Sequence, residues 1–513
     1  MDANAAEFLA AAGQFQLGAL DTERPHPLTT RLSELAQHRL PEAIETLKAV
    51  DIQALECFSA KAPTLLPLAE SIGRALEAGR RIFLCGCGAT GRLSVSLEVF
   101  CREGLVPSNV RDQVVSVMAG GEVGLIRTVP DFEDRPDRGA RQLEEAGFHD
   151  GDLLLASTEG GETPWVIGAV ERAAELSAAA PWFLYCNPDS VLTAVAGRSR
   201  RVLADSRIRK LSLAVGPMAI CGSTRMQAAT VLLAAIGIAL QHHHQPENVL
   251  AAPQALHSLV AGTEFGFLTP FIEREAASYQ TNRHVLYCPG QYGMTVLTDT
   301  VERCPTFALR PFENQINPAE PASWCHLWMQ GTSDSGAAWR QLLHRAPRTL
   351  EWEDLQGAAS ASFLQGFDFS DALPEKRRQR TEEAPHLIFS IGDSGDELEF
   401  RLGPQQHRVP IASASVLFRH LLLKLLLNTH STLVMGRMGR FADNLMTHLR
   451  PANFKLIDRA IRYVRLLAER RTGEAPPYEA VARQLFDDLL SLAPDESIVL
   501  KTLASFLPPP PTP

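Results

Sequence analysis

The sequence predicts an α/β protein built as two tandem, doubly wound parallel-sheet lobes, framed by a helical N-terminal arm and a helical C-terminal region. Three observations lead there. From about residue 65, short apolar runs that end in glycine or a polar turn alternate with helical patterns, as βαβ units do. The alternation restarts beyond Gln241-His-His-His-Gln-Pro-Glu247. With 513 residues, 45% apolar and 21% charged, the chain has ordinary globular composition and fills more than one core. The divisions expected are an arm over 1–55, a first lobe over 56–245, a second over 246–450 and a helical region with a Pro-rich tail over 451–513.

In chain order, the arm mixes an Ala-rich start with a Pro-punctuated stretch, Thr22 to Pro27, and an amphipathic helix from Thr30. A helical pattern over Leu65 to Glu77 leads into Arg81-Ile-Phe-Leu-Cys-Gly86, which reads as a buried parallel strand. Further strands are expected at Gln113 to Met118, Asp152 to Ser157, Trp182 to Cys186 and Arg201 to Ala204, with helices at Arg138 to Ala146 and Pro164 to Ala178. The second cycle opens at His284 to Cys288 and continues with strands at Thr306 to Leu309, Trp324 to Met329, His386 to Ser390 and Leu398 to Leu402. The charge run Pro374 to Glu383 reads as a solvated loop, and Pro508 to Pro513 as a polyproline-like end.

Composition narrows the function classes. Lys plus Arg number 49 against 59 for Asp plus Glu, a net charge of −10, so neither nucleic acid nor an anionic membrane is an expected partner. The nine cysteines include no CxxC pair and several sit in apolar runs; they read as buried thiols of a reducing compartment, and no metal site is expected. His242, His243 and His244 are consecutive and cannot all face one ion from a helix, so they read as linker. No basic leader precedes an apolar core, and no uninterrupted 18-residue apolar stretch occurs, which makes a cytoplasmic location the expectation.

Three turns could carry chemistry. Gly86-Cys-Gly-Ala-Thr-Gly-Arg92 follows a strand and opens a helix, so its backbone N–H groups and the Thr90 hydroxyl, with Gly88 and Gly91 allowing close approach, suit an anion such as phosphate. It is not the dinucleotide fingerprint, because no acidic residue follows at the end of the next strand. Ser157-Thr-Glu-Gly-Gly-Glu-Thr-Pro164 repeats the strand-to-helix turn, with hydroxyls at Ser157, Thr158 and Thr163 and Pro164 suited to a first helical turn. In Gly222-Ser-Thr-Arg-Met226, Ser223 and Thr224 are expected to cap a long apolar helix, with Arg225 a permanent cation beside them. Such turns converge at the carboxyl ends of the strands.

Those turns, with Ala119-Gly-Gly-Glu122, Cys186-Asn-Pro-Asp-Ser190, Asn444-Leu-Met446 and Asn453-Phe-Lys-Leu456, resemble the sugar isomerase (SIS) superfamily. Within it they are similar to the branch of the N-acetylmuramic acid 6-phosphate etherases and glucokinase regulatory protein. The arm agrees: Leu17 to Glu23, His26-Pro27 and Arg31-Leu-Ser33 resemble an etherase N-terminus, with His26 where that family has Asn. The resemblance spans about residues 14 to 465, and its tandem form is closer to the regulatory protein than to single-lobed etherases.

The etherases use a glutamate in a Ser-Glu-Cys-Pro-Pro-Thr motif and another in a Gly-Ala-Glu-Asp motif. In the first lobe the former position is Phe100, and Glu98, about 200° away on a helix, is a poor substitute. The resemblance supplies Glu133, within Asp131-Phe-Glu-Asp134, and Glu302, within Leu297 to Phe307 of the second lobe. That lobe lacks the phosphate turns: Tyr292 is bulky in Gly290-Gln-Tyr-Gly293, and Ala412 to Val416 replaces Gly-Ser-Thr-Arg. Hence the lobes are expected to form a pseudo-dimer with one complete site, the second lobe contributing Glu302 or the Arg440 to Asn444 segment, with Arg440 and Asn444 on the ligand. Glu159 and Glu162 stand where the family has a serine and a basic or apolar residue, and carboxylates there are unfavourable to phosphate unless they bind sugar hydroxyls.

Two functions follow from the resemblance. One is a cofactor-free lyase that removes the C2 proton of an open-chain amino-sugar 6-phosphate and expels the C3 ether as lactate, with Glu133 and Glu302 as base and acid. The other is a sugar-phosphate sensor that regulates a sugar kinase through the angle between lobes. Further oligomerisation is left open.

Overall fold

The structure is a computed structural model that describes residues 5–14, 17–381, 386–412, 414–451, 453–493 and 495–508. Two five-stranded sheets organise it. The first is wholly parallel, in the order β2-β1-β3-β4-β5, with β1 Ile82–Gly86, β2 Val114–Met118, β3 Leu153–Ser157, β4 Trp182–Tyr185 and β5 Arg209–Ser212. Strands β1 and β3 are buried at every residue because helices cover both faces. The order reverses between β1 and β3, so the crevice at their carboxyl ends is the topological switch point.

The second sheet runs β10-β9-β8-β6-β7, with β6 Val285–Cys288, β7 Cys325–Leu327, β8 Leu387–Ser394, β9 Glu397–Leu402 and β10 Gln405–Pro410. Here the all-parallel expectation is corrected. Strands β6, β7 and β8 are parallel, but β8, β9 and β10 form an antiparallel meander. Its turns are set by Gly395 (φ 66°) and by Gly403 (φ 61°) before Pro404, the geometry of tight hairpins. Strand β10 is polar because it is an edge with one solvated face.

Seven helices frame the site or join the halves: α1 Leu40–Ala60, α2 Ala89–Phe100, α3 Pro164–Leu176, α4 Gln227–Gln241, α5 Gly293–Phe307, α6 Val416–Arg437 and α7 Phe454–Thr472. Helix α4 is buried from Gln227 through Leu240 and α6 from His420 through Gly436, so both are central; α4 is apolar on nearly every face, whereas α6 also buries the hydrogen-bonded Lys424, Asn428, Ser431 and Thr432.

Two expected strands are helical. Arg201 to Ala204 lies within the helix Gly197–Ala204, and Thr306 to Leu309 straddles the end of α5, which stops at Ala308 in a left-handed conformation (φ 51°). Four-residue apolar runs do not separate a strand from a buried helical turn. The expected solvated loop from Pro374 is largely the helix Leu373–Thr381, whose Arg377 is fully buried against Glu313. Ser413, residues 382–383 and Pro509 to Pro513 lie outside the described residues.

The halves are joined by polar contacts from both. Glu98 on α2 accepts hydrogen bonds from Arg345 (3.0 and 2.8 Å) and Arg348 (2.8 and 2.8 Å), and Arg345 also reaches Glu122. Phe100 stacks on His420 of α6 with centroids 3.8 Å apart, and the His420 ring bonds Thr295 on one side and Glu103 on the other. The arm is tied to the first half and to the C-terminal region: the Thr22 amide donates to Asn187, and Glu23 is paired with Arg459 and Arg462 of α7.

Candidate functional site

A cleft of about 670 Å³ opens at the carboxyl ends of β1 and β3, within the size range of small-molecule sites. The turn after β1 brings Cys87, Gly88, Ala89 and Arg92 to it. Gly88 has φ 58° and ψ −121°, a conformation that a side chain would strain. A Cβ on Gly86 would lie 2.4 Å from the Thr90 carbonyl, so that turn requires glycine twice. Thr90 and Gly91 shape the turn rather than line it. The Thr90 hydroxyl folds back onto Cys87 (N at 3.1 Å, O at 3.0 Å), and Gly91 sits where a Cβ would meet Met118 at 2.7 Å. The expectation that the Thr90 hydroxyl faces an anion is corrected accordingly.

The turn after β3 contributes Glu159, Gly160, Glu162 and Thr163. Ser157 and Thr158 are spent inside: Ser157 donates to the Cys85 carbonyl at 3.4 Å and Thr158 bonds the Thr163 hydroxyl at 2.9 Å. Glu162 is neutralised by Lys455 (2.6 Å) and Arg198 (3.3 Å). Glu159 has no such ionic partner among the described residues. It is 8% exposed, its Oε1 is buried without a hydrogen bond, and burial, with Glu302 nearby, pushes its carboxyl up to about 7.

Ser223, Thr224 and Arg225 line the cleft as expected, but not as helix caps. Helix α4 starts at Gln227 without a side-chain cap, and the Ser223 hydroxyl is buried with no partner. Arg225 is not free: its guanidinium bonds Asp299 (3.2 Å), Ser431 (3.2 Å) and Thr432 (2.9 Å), leaving Nε unpartnered. Asp299 lies one helical turn before Glu302 and Arg303 on α5, and sequence spacing alone does not show that it reaches into the first half.

Helix α5 places Glu302 in the same cleft as Glu133. Glu302 is 3% exposed. Burial raises its pKa, opposed first by Arg92 and then by Lys424 and Arg225. Glu133 is half-buried at the opening and shares a side recess with Glu162, Thr163 and Lys455. Helix α7 adds Lys455 and Arg459, which sequence reasoning misses although the Asn453 to Leu456 motif contains the lysine. Asn453 caps that helix, accepting from the Leu456 amide at 2.9 Å, which sets Lys455 toward the cleft. Arg440 and Asn444 are corrected, for neither lines the cleft. Arg440 lies over the Trp324 ring (4.9 Å), and the Asn444 amide donates to the His26 carbonyl (3.0 Å) and Thr29 (2.9 Å), holding the arm. Among the described residues no His, Cys, Asp and Glu cluster could hold a metal, and no helix is long and apolar enough to cross a membrane.

No family model matches the chain. Curated relatives do. The N-acetylmuramic acid 6-phosphate etherase of Rippkaea orientalis is 31% identical over 221 residues, 43% of this chain and 67% of that protein. Its counterpart in Gloeothece citriformis is 32% identical over 221 residues with the same coverage, and that of Salmonella agona 31% over 215 residues, 42% of this chain and 66% of the relative. Among solved structures, the tagatose-6-phosphate ketose/aldose isomerase of Escherichia coli covers 82% of this chain and 97% of its own at 12% identity and a TM-score of 0.40. The C-terminal domain of glucosamine-fructose-6-phosphate aminotransferase from Francisella tularensis covers 77% and 96% at 9% identity and 0.36. On the identity and coverage of its curated relatives, the chain belongs to the N-acetylmuramic acid 6-phosphate etherase family.

Proposed function

We propose that the cleft binds an amino-sugar 6-phosphate and eliminates its C3 lactyl ether, and that the two sheets are two tandem SIS lobes paired as a pseudo-dimer around this one site. The observation that carries it is the presence of Glu133 from the first half and Glu302 from the second in one cavity, beside the unpartnered Ser223 hydroxyl and the Arg92 and Arg225 guanidiniums. In this reading the glycine turn, Arg92, Ser223 and Thr224 hold the phosphate. Glu133 takes the C2 proton. As the C3–O bond breaks, Glu302, whose buried carboxyl favours the protonated form, gives its proton to the departing lactate oxygen. Water then adds at C3 of the unsaturated sugar.

The second half has no rival site of this kind among the described residues: Tyr292 bonds Asp393, and Arg419 closes on the same carboxylate. The etherase relatives support catalysis over a kinase-regulating sensor. Incubation with N-acetylmuramic acid 6-phosphate is expected to release lactate and leave the unsubstituted sugar phosphate. Binding without any lactate would overturn the lyase reading.

A further inference from the structure

We propose that Glu159 is an amine-binding residue, and that the cleft takes a 2-amino-2-deoxy sugar phosphate whose amine is free and protonated. This deepens the sugar-phosphate reading and rests on it. The charges of the cleft are the starting point. Glu23 is paired with Arg459, Glu162 with Lys455, Arg225 with Asp299 and Arg127 with Glu320. Among the described residues that line the cleft, Glu133, Glu159 and Glu302 are the acids without an ion partner, and Arg92 and Arg450 the bases without one. A ligand with one anionic and one cationic end matches that remainder.

Glu159 is the member built to meet the cation. It is more than nine-tenths buried, lies on the turn after β3 and keeps one carboxylate oxygen without a partner. A buried acceptor of this kind is costly unless a ligand satisfies it. Its charged surroundings are Glu302, Arg92 and Lys455, with the Cys87 and Cys186 thiols feeling its charge. An ammonium group drawn to Glu159 favours its ionised form, and that negative charge beside Glu302 holds the proton on Glu302. Amine recognition and the proton needed for elimination are thereby served by adjacent carboxyls. An acetamide lacks the positive charge, and a hydroxyl lacks it too.

The test is calorimetric titration of the full chain at pH 7 with glucosamine 6-phosphate, N-acetylglucosamine 6-phosphate and glucose 6-phosphate. The expected result is binding of the free amine at least about tenfold tighter than either other ligand, the gain of a charge-assisted hydrogen bond. In Glu159→Gln that preference collapses to within about threefold, through loss on the amine alone. Equal affinities for the three ligands in the wild type overturn the amine site while leaving the sugar-phosphate reading intact. Failure of all three to bind removes both. Because the wild-type series decides by itself, the inference stays falsifiable if the variant does not fold.

Discussion

Glu98 and Glu159 are both buried carboxylates of the first half, and they have opposite electrostatic fates. At Glu98, burial alone would raise the pKa, but Arg345 and Arg348 overcome it and hold the carboxyl down at about 2. At Glu159 burial is not answered by an ionic partner, Glu302 adds repulsion, and the carboxyl stands at about 7. Burial is the same; the partners differ. The difference teaches that the clasp between the halves satisfies its buried carboxylate within the chain, whereas the cleft, beside its internal ion pairs, holds Glu159 without one.

The largest effect expected from breaking that contrast is at the clasp. Glu98→Ala leaves Arg102, Arg345 and Arg348 facing a vacated buried site and should cost about 3–5 kcal/mol in chemical denaturation; an unchanged midpoint would mean the clasp stabilises nothing. The second prediction has the opposite sign. Below about pH 4.5, the ordinary glutamate value, Glu159 is protonated in folded and unfolded chains alike. Between there and about 7 the unfolded chain has lost the proton and the folded one keeps it, so stability falls as pH rises, by about 3 kcal/mol at full extent. Glu159→Gln should therefore be more stable than the wild type at pH 8, by up to that amount, and indistinguishable from it at pH 4. Glu98 runs the other way. Its contribution is present above the ordinary value and disappears as pH drops toward about 2. The smallest effect is at Ser223: removing its unpartnered hydroxyl in Ser223→Ala should weaken glucose 6-phosphate binding about fivefold, the worth of one neutral hydrogen bond, with an unaltered denaturation midpoint.

Much of the first sheet is legible in the sequence because its first four strands are short apolar runs, and the turn after β1 has a steric reason for its glycines at Gly86 and Gly88. The fifth strand is the exception. Sequence pattern places it on Arg201 to Ala204, because Val202 and Leu203 look alike in a strand and in a short amphipathic helix. Strand β10, Gln405–Pro410, leaves no apolar signal, since an edge strand need not be apolar. In the cleft, the hydroxyl-bearing turns supply Ser223, Thr224 and Thr163, and the family resemblance supplies Glu133 and Glu302. What spacing does not carry is who meets whom across some 70 residues or more. The pairing of Arg225 with Asp299, the diversion of Asn444 to the arm and the stacking of Phe100 on His420 are all of that kind. Lys455 is recoverable: it follows an Asn that caps α7, and a cation at that end of a helix points to an acidic neighbour.

The most direct test of a cleft shared by both halves is to disable one carboxylate from each. Lactate release from N-acetylmuramic acid 6-phosphate, and from the same compound without its acetyl group, should fall at least about 100-fold in Glu133→Gln and equally in Glu302→Gln, with glucose 6-phosphate still bound. Undiminished release by the Glu302 variant would show that the second half takes no part in the chemistry and would contradict a shared site.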